Sequence, residues 1–108
     1  MSHQPITLER VEAAMEFLAE SDEPLAQEKM ELEKAAILQK RCRARAFLTN
    51  EGSVEQRKAA AEVNLEVQAA DDTYCACVKA YETLKAKRQR AELVIDCWRT
   101  LEASRRKS

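Results

Sequence analysis

The stretch EVQAADDTYCACVKAYETLKAKRQRAELVIDCWRTLEAS, from Glu66 to Ser104, decides the fold. Taken in alternating steps of three and four it gives Val67, Ala70, Tyr74, Cys77, Tyr81, Leu84, Arg88, Ala91, Ile95 and Trp98, and Arg88 is its only charged member. A repeat averaging about 3.5 residues keeps one apolar stripe turned toward a partner helix. Neither Gly nor Pro interrupts the stretch, which as one helix spans roughly 57 Å at 1.5 Å per residue. The seam predicts a long C-terminal helix made to be covered by other helices.

Working back along the chain, Asn50-Glu51-Gly52 ends a preceding helix, with Gly52 as the left-handed residue beyond its C-terminus. Ser53 and Gln56, three apart, form a capping box for a new start. A short helix is expected over Val54 to Glu62, then a bend at Val63-Asn64-Leu65, then the long helix from about Glu66; one unbroken helix from Val54 is the alternative. The second helix is expected over Glu23 to Thr49 and carries two apolar stripes. Leu25, Leu32, Ala35, Ala36, Cys42, Ala46 and Phe47 form one; Ala26, Met30, Ile37, Ala44 and Leu48 form the other. Two stripes require two neighbours: the long helix folding back antiparallel, and either the first helix or another copy of the chain. Ahead of this, Leu8, Val11, Met15 and Leu18 predict a short amphipathic helix from a cap at Thr7 to about Glu20. Ser21-Asp22-Glu23-Pro24 breaks it and starts the next, since Pro is accepted only in a first turn. Residues 1–6 are expected to be a disordered start and 105–108 a basic tail.

The totals agree with an all-α class, an antiparallel helical hairpin or coiled coil in a single helical domain of 108 residues. One Gly and two Pro cannot supply the turns a β or α/β fold needs. No run reaches the roughly 18 consecutive apolar residues of a membrane span, and the acidic N-terminus does not read as a signal peptide, so no membrane contact and a cytoplasmic location are expected. The formal net charge of −1 conceals alternating blocks. Residues 1–33 hold nine acidic and two basic side chains, 34–60 two and seven, 61–84 five and one, and 85–108 three and eight. Such blocks point to charge-guided pairing between segments or with a partner.

Chemistry is scarce. His3 is the only histidine. Cys75 and Cys77 are turned about 200° apart on a helix and cannot share a tetrahedral metal site. Cys42, Cys75, Cys77 and Cys97 read as reduced, buried, small apolar residues. Asp71 and Asp72 point to different faces and read as hydrating the start of the long helix. No nucleophile–base pair, phosphate loop or acid cluster is visible, so neither an enzyme nor a cofactor is expected.

The basic groups are the functional candidates. Lys40, Arg41, Arg43 and Arg45 follow one another in the second helix, and Arg57 and Lys58 stand after its terminal loop. Lys85, Lys87, Arg88 and Arg90 crowd the long helix, with Arg99 nearer its end. Several such groups on one face would bind phosphate by counterion release; the competing reading pairs them with the acidic N-terminal block. Arg88 at a seam position is expected to set register, pairing with Glu92 or with an acid on a facing helix. Trp98, beside Ile95 and Leu101, reads as a core anchor, and Tyr74, Tyr81 and Leu84 as core positions.

The segments Arg43-Ala44-Arg45-Ala46-Phe47-Leu48, Glu51-Gly52-Ser53-Val54-Glu55-Gln56-Arg57-Lys58 and Ala91-Glu92-Leu93-Val94-Ile95-Asp96-Cys97-Trp98-Arg99-Thr100-Leu101 resemble small helical proteins of tailed bacteriophages and prophages met near recombination or single-strand-binding genes. The resemblance implies an accessory role in phage DNA metabolism, with Arg43, Arg45, Arg57, Arg90 and Arg99 as a shared surface and the host cytoplasm as location. The expected function is a non-enzymatic, self-associating module contacting single- or double-stranded DNA through Arg41, Arg43, Arg45, Arg57, Lys87, Arg90 and Arg99. The alternative is an adaptor or inhibitor docking on a phage or host protein by its amphipathic faces. Self-association follows from length: the long helix outruns the second, and its seam stays wet unless the first helix or another copy covers it.

Overall fold

The computed structural model describes residues 6–107. Four helices follow in chain order, α1 (Leu8–Glu20), α2 (Asp22–Thr49), α3 (Val54–Glu62) and α4 (Leu65–Lys107), and the described residues hold no strand. The class is all-α, as composition and periodicity require. The expected disordered start falls on residues 1–6, of which 1–5, with His3, lie outside the described residues. Ile6 packs against the α1/α4 core instead. The expected basic tail is helical through Lys107: Arg105, Arg106 and Lys107 occupy the last turn, where cations suit the exposed carbonyls of a helix C-terminus.

The boundaries have local causes. Thr7 Oγ1 accepts from the Arg10 amide at 3.2 Å and opens α1. The capping box opens α3: Gln56 N–H donates to Ser53 Oγ at 3.2 Å, and Ser53 N–H to Gln56 Oε1 at 2.9 Å. Asn64 Oδ1 accepts from the Glu66 and Val67 amides at 2.9 and 3.1 Å. The residue at the centre of the expected bend is thus the cap that starts α4 afresh. Gly52 has φ +111°, which side chains rarely adopt.

The helices form two compact units, residues 27–81 and residues 6–26 with 82–107. In the first, α2 and α4 run antiparallel: Gln39 meets Asp71 and, further along α2, Arg45 meets Glu66. Ala46, Ala61 of α3 and Val67 make its buried core, with Cys42 against it. In the second unit α1 packs on the C-terminal part of α4. Val11, Ala14, Ala91 and Ile95 are its core, flanked by Phe17, Leu18, Val94 and Trp98. The seam behaves as its spacing dictates. Val67, Ala70, Ala91 and Ile95 are buried, and Tyr74, Cys77, Tyr81, Leu84, Arg88 and Trp98 are half-buried. The facing positions repeat in the same steps of three and four, Val11, Ala14, Leu18, Ser21 and Leu25 in one unit and Glu28, Leu32, Ala35, Gln39, Cys42 and Ala46 in the other, and none is exposed.

Two expectations need correcting. The length argument for self-association loses its premise, because α1 covers the far part of the seam. The thiols are free, but only Cys42 and Cys77 are partly covered; Cys75 and Cys97 are exposed, since both fall outside the seam.

A Cβ on Gly52 would collide with the Gln56 side-chain amide that closes the capping box. Gly52→Ala is therefore expected to destabilise the chain by about 1–2 kcal/mol, read as a lower midpoint in urea unfolding followed by circular dichroism.

Candidate functional site

The sequence offers charged side chains and helix faces rather than a reactive centre. Among the described residues no three His, Cys, Asp or Glu side chains are grouped to hold a metal ion. The basic groups sort by what they touch.

Arg88 is the most committed of them. Its Nη1 donates to the Leu18 carbonyl at 2.8 Å and to Ser21 Oγ at 2.6 Å, and its Nη2 to Asp22 Oδ1 at 2.7 Å. The acid is Asp22 on the facing segment rather than Glu92. Ser21 is the single residue between α1 and α2 and is buried. Its hydroxyl donates to Phe17 O at 2.6 Å and its carbonyl accepts from the Leu25 amide. The guanidinium thus sits on a carbonyl in the last turn of α1, where that helix's dipole favours a cation, and Asp22 in the first turn of α2 supplies the counter-charge against the positive end of the second helix. A long side chain on α4 lies against a short one on the opposite strand of the seam, which makes this a polar layer.

Arg43 is similarly held in the unit of residues 27–81. It donates to Glu62 and, at 2.8 Å, to Asp71 Oδ2, while Gln39 Nε2 donates to Asp71 Oδ1 at 2.7 Å. Asp71 is therefore the acceptor at the centre of a cluster and not a solvated group. Arg45 lies 3.8 Å from Glu66. The acids that answer Arg43 and Arg45 come from residues 61–84 and not from the N-terminal block, whereas Arg88 reaches that block through Asp22. Arg57 stacks over the Phe47 ring at 5.6 Å, and its buried Nε finds no acceptor. A cation over an aromatic face is stabilised without a carboxylate.

Lys40, Arg41, Lys58, Lys87 and Arg90 are exposed and make no ion pair with the described residues. Lys87 and Arg90 lie about 60° apart around α4, whereas Arg99 is about 180° round from Arg90, loosely set at 4.0 Å from Asp96. Arg41 and Arg45 lie about 40° apart around α2, with Arg43 turned to the other side. The expected sets thus divide: Lys87 with Arg90 on one face, Arg41 with Arg45 on another, and Arg43, Arg57 and Arg88 engaged within their own units.

The apolar stripes divide as cleanly. Leu25, Leu32, Ala35, Ala36, Cys42, Ala46 and Phe47 are all buried or half-buried. Ala26, Met30, Ile37, Ala44 and Leu48 are all exposed, Leu48 at 74%. A further exposed stripe on α4, Ala86, Leu93, Cys97 and Leu101 around Arg90, went unread because the seam dominated that stretch; its own spacing of seven, four and four was the available signal. At the end of α2, Ala44, Phe47 and Leu48 with Lys58 and Ala61 of α3 line an open groove of about 480 Å³.

No family model, no curated protein and no solved structure matches the chain.

The Arg88 side chain is 16% exposed while Asp22 is 69% exposed, so the fork to the carbonyl and hydroxyl outweighs the ion pair. Arg88→Lys, which keeps the charge but loses the planar fork, is expected to destabilise by about 1–2 kcal/mol. Asp22→Asn is expected to cost at most about 1 kcal/mol. Urea unfolding of both variants checks the order.

Proposed function

We propose that the chain is a non-enzymatic, self-associating helical module that assists a phage recombination or replication assembly in the host cytoplasm and touches nucleic acid through exposed basic side chains. The observation that carries this reading is the sorting of the cations. Arg43 and Arg88 are spent on carboxylates and carbonyls of their own units, and Lys87 and Arg90 are left on one open face of α4 with no ion pair among the described residues. Unpaired cations on one helix face are the arrangement that displaces counterions from a phosphate chain. Arg41 supplies a smaller group of the same kind on α2 with Arg45, whose Glu66 partner at 3.8 Å is exposed and exchangeable.

A second reading, a protein-binding adaptor or inhibitor, is favoured by the exposed Ala86, Leu93, Cys97 and Leu101 stripe of α4, the type of surface an amphipathic partner helix covers. A stoichiometric protein captured from nuclease-treated bacterial lysate, and lost on Leu93→Glu, supports that reading. No helix among the described residues is long and apolar enough to cross a membrane.

Fluorescence anisotropy with a labelled single-stranded oligonucleotide tests the leading reading. Binding is expected at low salt and should fall as salt rises. Lys87→Ala with Arg90→Ala should flatten the dependence of log affinity on log salt by about 1.4, at roughly 0.7 per phosphate contact on a single strand. No binding at low salt, or binding indifferent to salt, defeats the nucleic-acid reading.

A further inference from the structure

We propose that the outward face of α2 is the self-association surface, and that its occupant is a second copy of the same face, packed antiparallel with Ile37 on the two-fold axis. This deepens, and rests on, the self-associating reading above. At 100° per residue Ala26, Met30, Ile37, Ala44 and Leu48 fall within roughly 40° of one direction on α2. All five are exposed, with Met30 at 42%, Ile37 at 50% and Leu48 at 74%.

The spacing along this face is symmetric about its centre. Met30 stands seven residues before Ile37 and Ala44 seven after; Ala26 stands eleven before and Leu48 eleven after. An isologous contact demands this property, because residue i must meet j while j meets i. Antiparallel pairing about Ile37 sets Met30 of each copy on Ala44 of the other and Leu48 on Ala26. At these flanking positions a large side chain meets a small one, and at the centre Ile37 meets its own counterpart. Ala44 also lines the groove between α2 and α3 together with Phe47, Leu48 and Ala61, so the flexible Met30 side chain of the second copy has a concave apolar seat.

Charge selects the direction. Every acid of α2 precedes Ile37 (Asp22, Glu23, Glu28, Glu31 and Glu33), where Lys29 and Lys34 are the only bases. Lys40, Arg41, Arg43 and Arg45 follow it with no acid among them. Parallel pairing would set acid on acid and base on base; antiparallel pairing sets each half on its opposite. In the symmetric register Glu33 lies on the same flank as Lys40 of the second copy and one residue from level with it. Lys40 and Arg41 are among the side chains without an ion pair in the described residues.

Sedimentation velocity of the full chain over a rising concentration series, with helicity followed by circular dichroism, tests the assignment. The wild-type chain should pass from monomer to dimer. Ile37→Glu, at an exposed position, should keep its helicity and stay monomeric. Glu33→Arg should weaken the dimer at least tenfold, and adding Lys40→Glu and Arg41→Glu to it should restore most of the loss. Ile37→Cys should form, under mild oxidation, a disulfide that peptide mapping places between the two copies of position 37. A dimer that survives Ile37→Glu, or cross-links mapped only to Cys75 or Cys97, overturns this surface while self-association stands. A wild-type chain that remains monomeric throughout overturns self-association with it and leaves the face to another protein.

Discussion

The contact between Arg88 and the joint at Ser21 is the constraint on which the α1-containing unit depends. An apolar seam of small residues is tolerant of sliding, because one Ala or Val layer resembles the next. Three donated hydrogen bonds from one guanidinium, to the Leu18 carbonyl, Ser21 Oγ and Asp22, admit a single alignment. Any shift by a heptad would leave a charged group inside an apolar layer and a buried hydroxyl facing hydrocarbon, each costly. The joint also explains how a one-residue interruption is tolerated. The helix is broken at Ser21, yet Val11, Ala14, Leu18, Ser21 and Leu25 keep their alternating steps of three and four, so the stripe stays in phase although the backbone does not.

The other unit solves the same problem with a carboxylate. Asp71 accepts from both Gln39 and Arg43, and Arg43 spans from it to Glu62 of α3. That use of both Arg43 Nη atoms ties α3 to the α2/α4 pair, alongside the packing of Ala61 and of Arg57 on the Phe47 ring. Each unit therefore has one polar clamp at a fixed height beside a thin apolar core.

Much of this was legible in the sequence, and what was not has definite causes. The α4 seam was readable because its ten positions obey one period over many turns, and α3 because Gly52, Ser53 and Gln56 are short-range signals that neighbouring helices do not override. The two stripes of α2 were separable for the same reason, but both were expected to find a neighbour, and only packing shows that Ala26, Met30, Ile37, Ala44 and Leu48 stay exposed. The acid that pairs with Arg88 was less accessible: a helical register i, i+4 is visible in a sequence, but a contact between residues 22 and 88 requires knowing which helix lies opposite. The cluster on Asp71 escaped for that reason too. Exposure of Cys75 and Cys97 was missed because cysteine composition suggests burial, whereas both lie off the seam. The place of α1 was undetermined, since its stripe fits either α2 or α4 and only packing decides.

One feature of the core bears on thermodynamics. The buried apolar side chains are Val11, Ala14, Ala35, Ala46, Ala61, Val67, Ala70, Ala91 and Ile95, mostly methyl groups. Unfolding such a core hydrates little hydrocarbon per residue, and the heat-capacity increment follows the hydrocarbon exposed. The curve of free energy against temperature is then shallow, with enthalpy and entropy of unfolding changing slowly between cold and warm. Backbone hydrogen bonds and the two clamps carry a correspondingly larger share of what keeps these helices together.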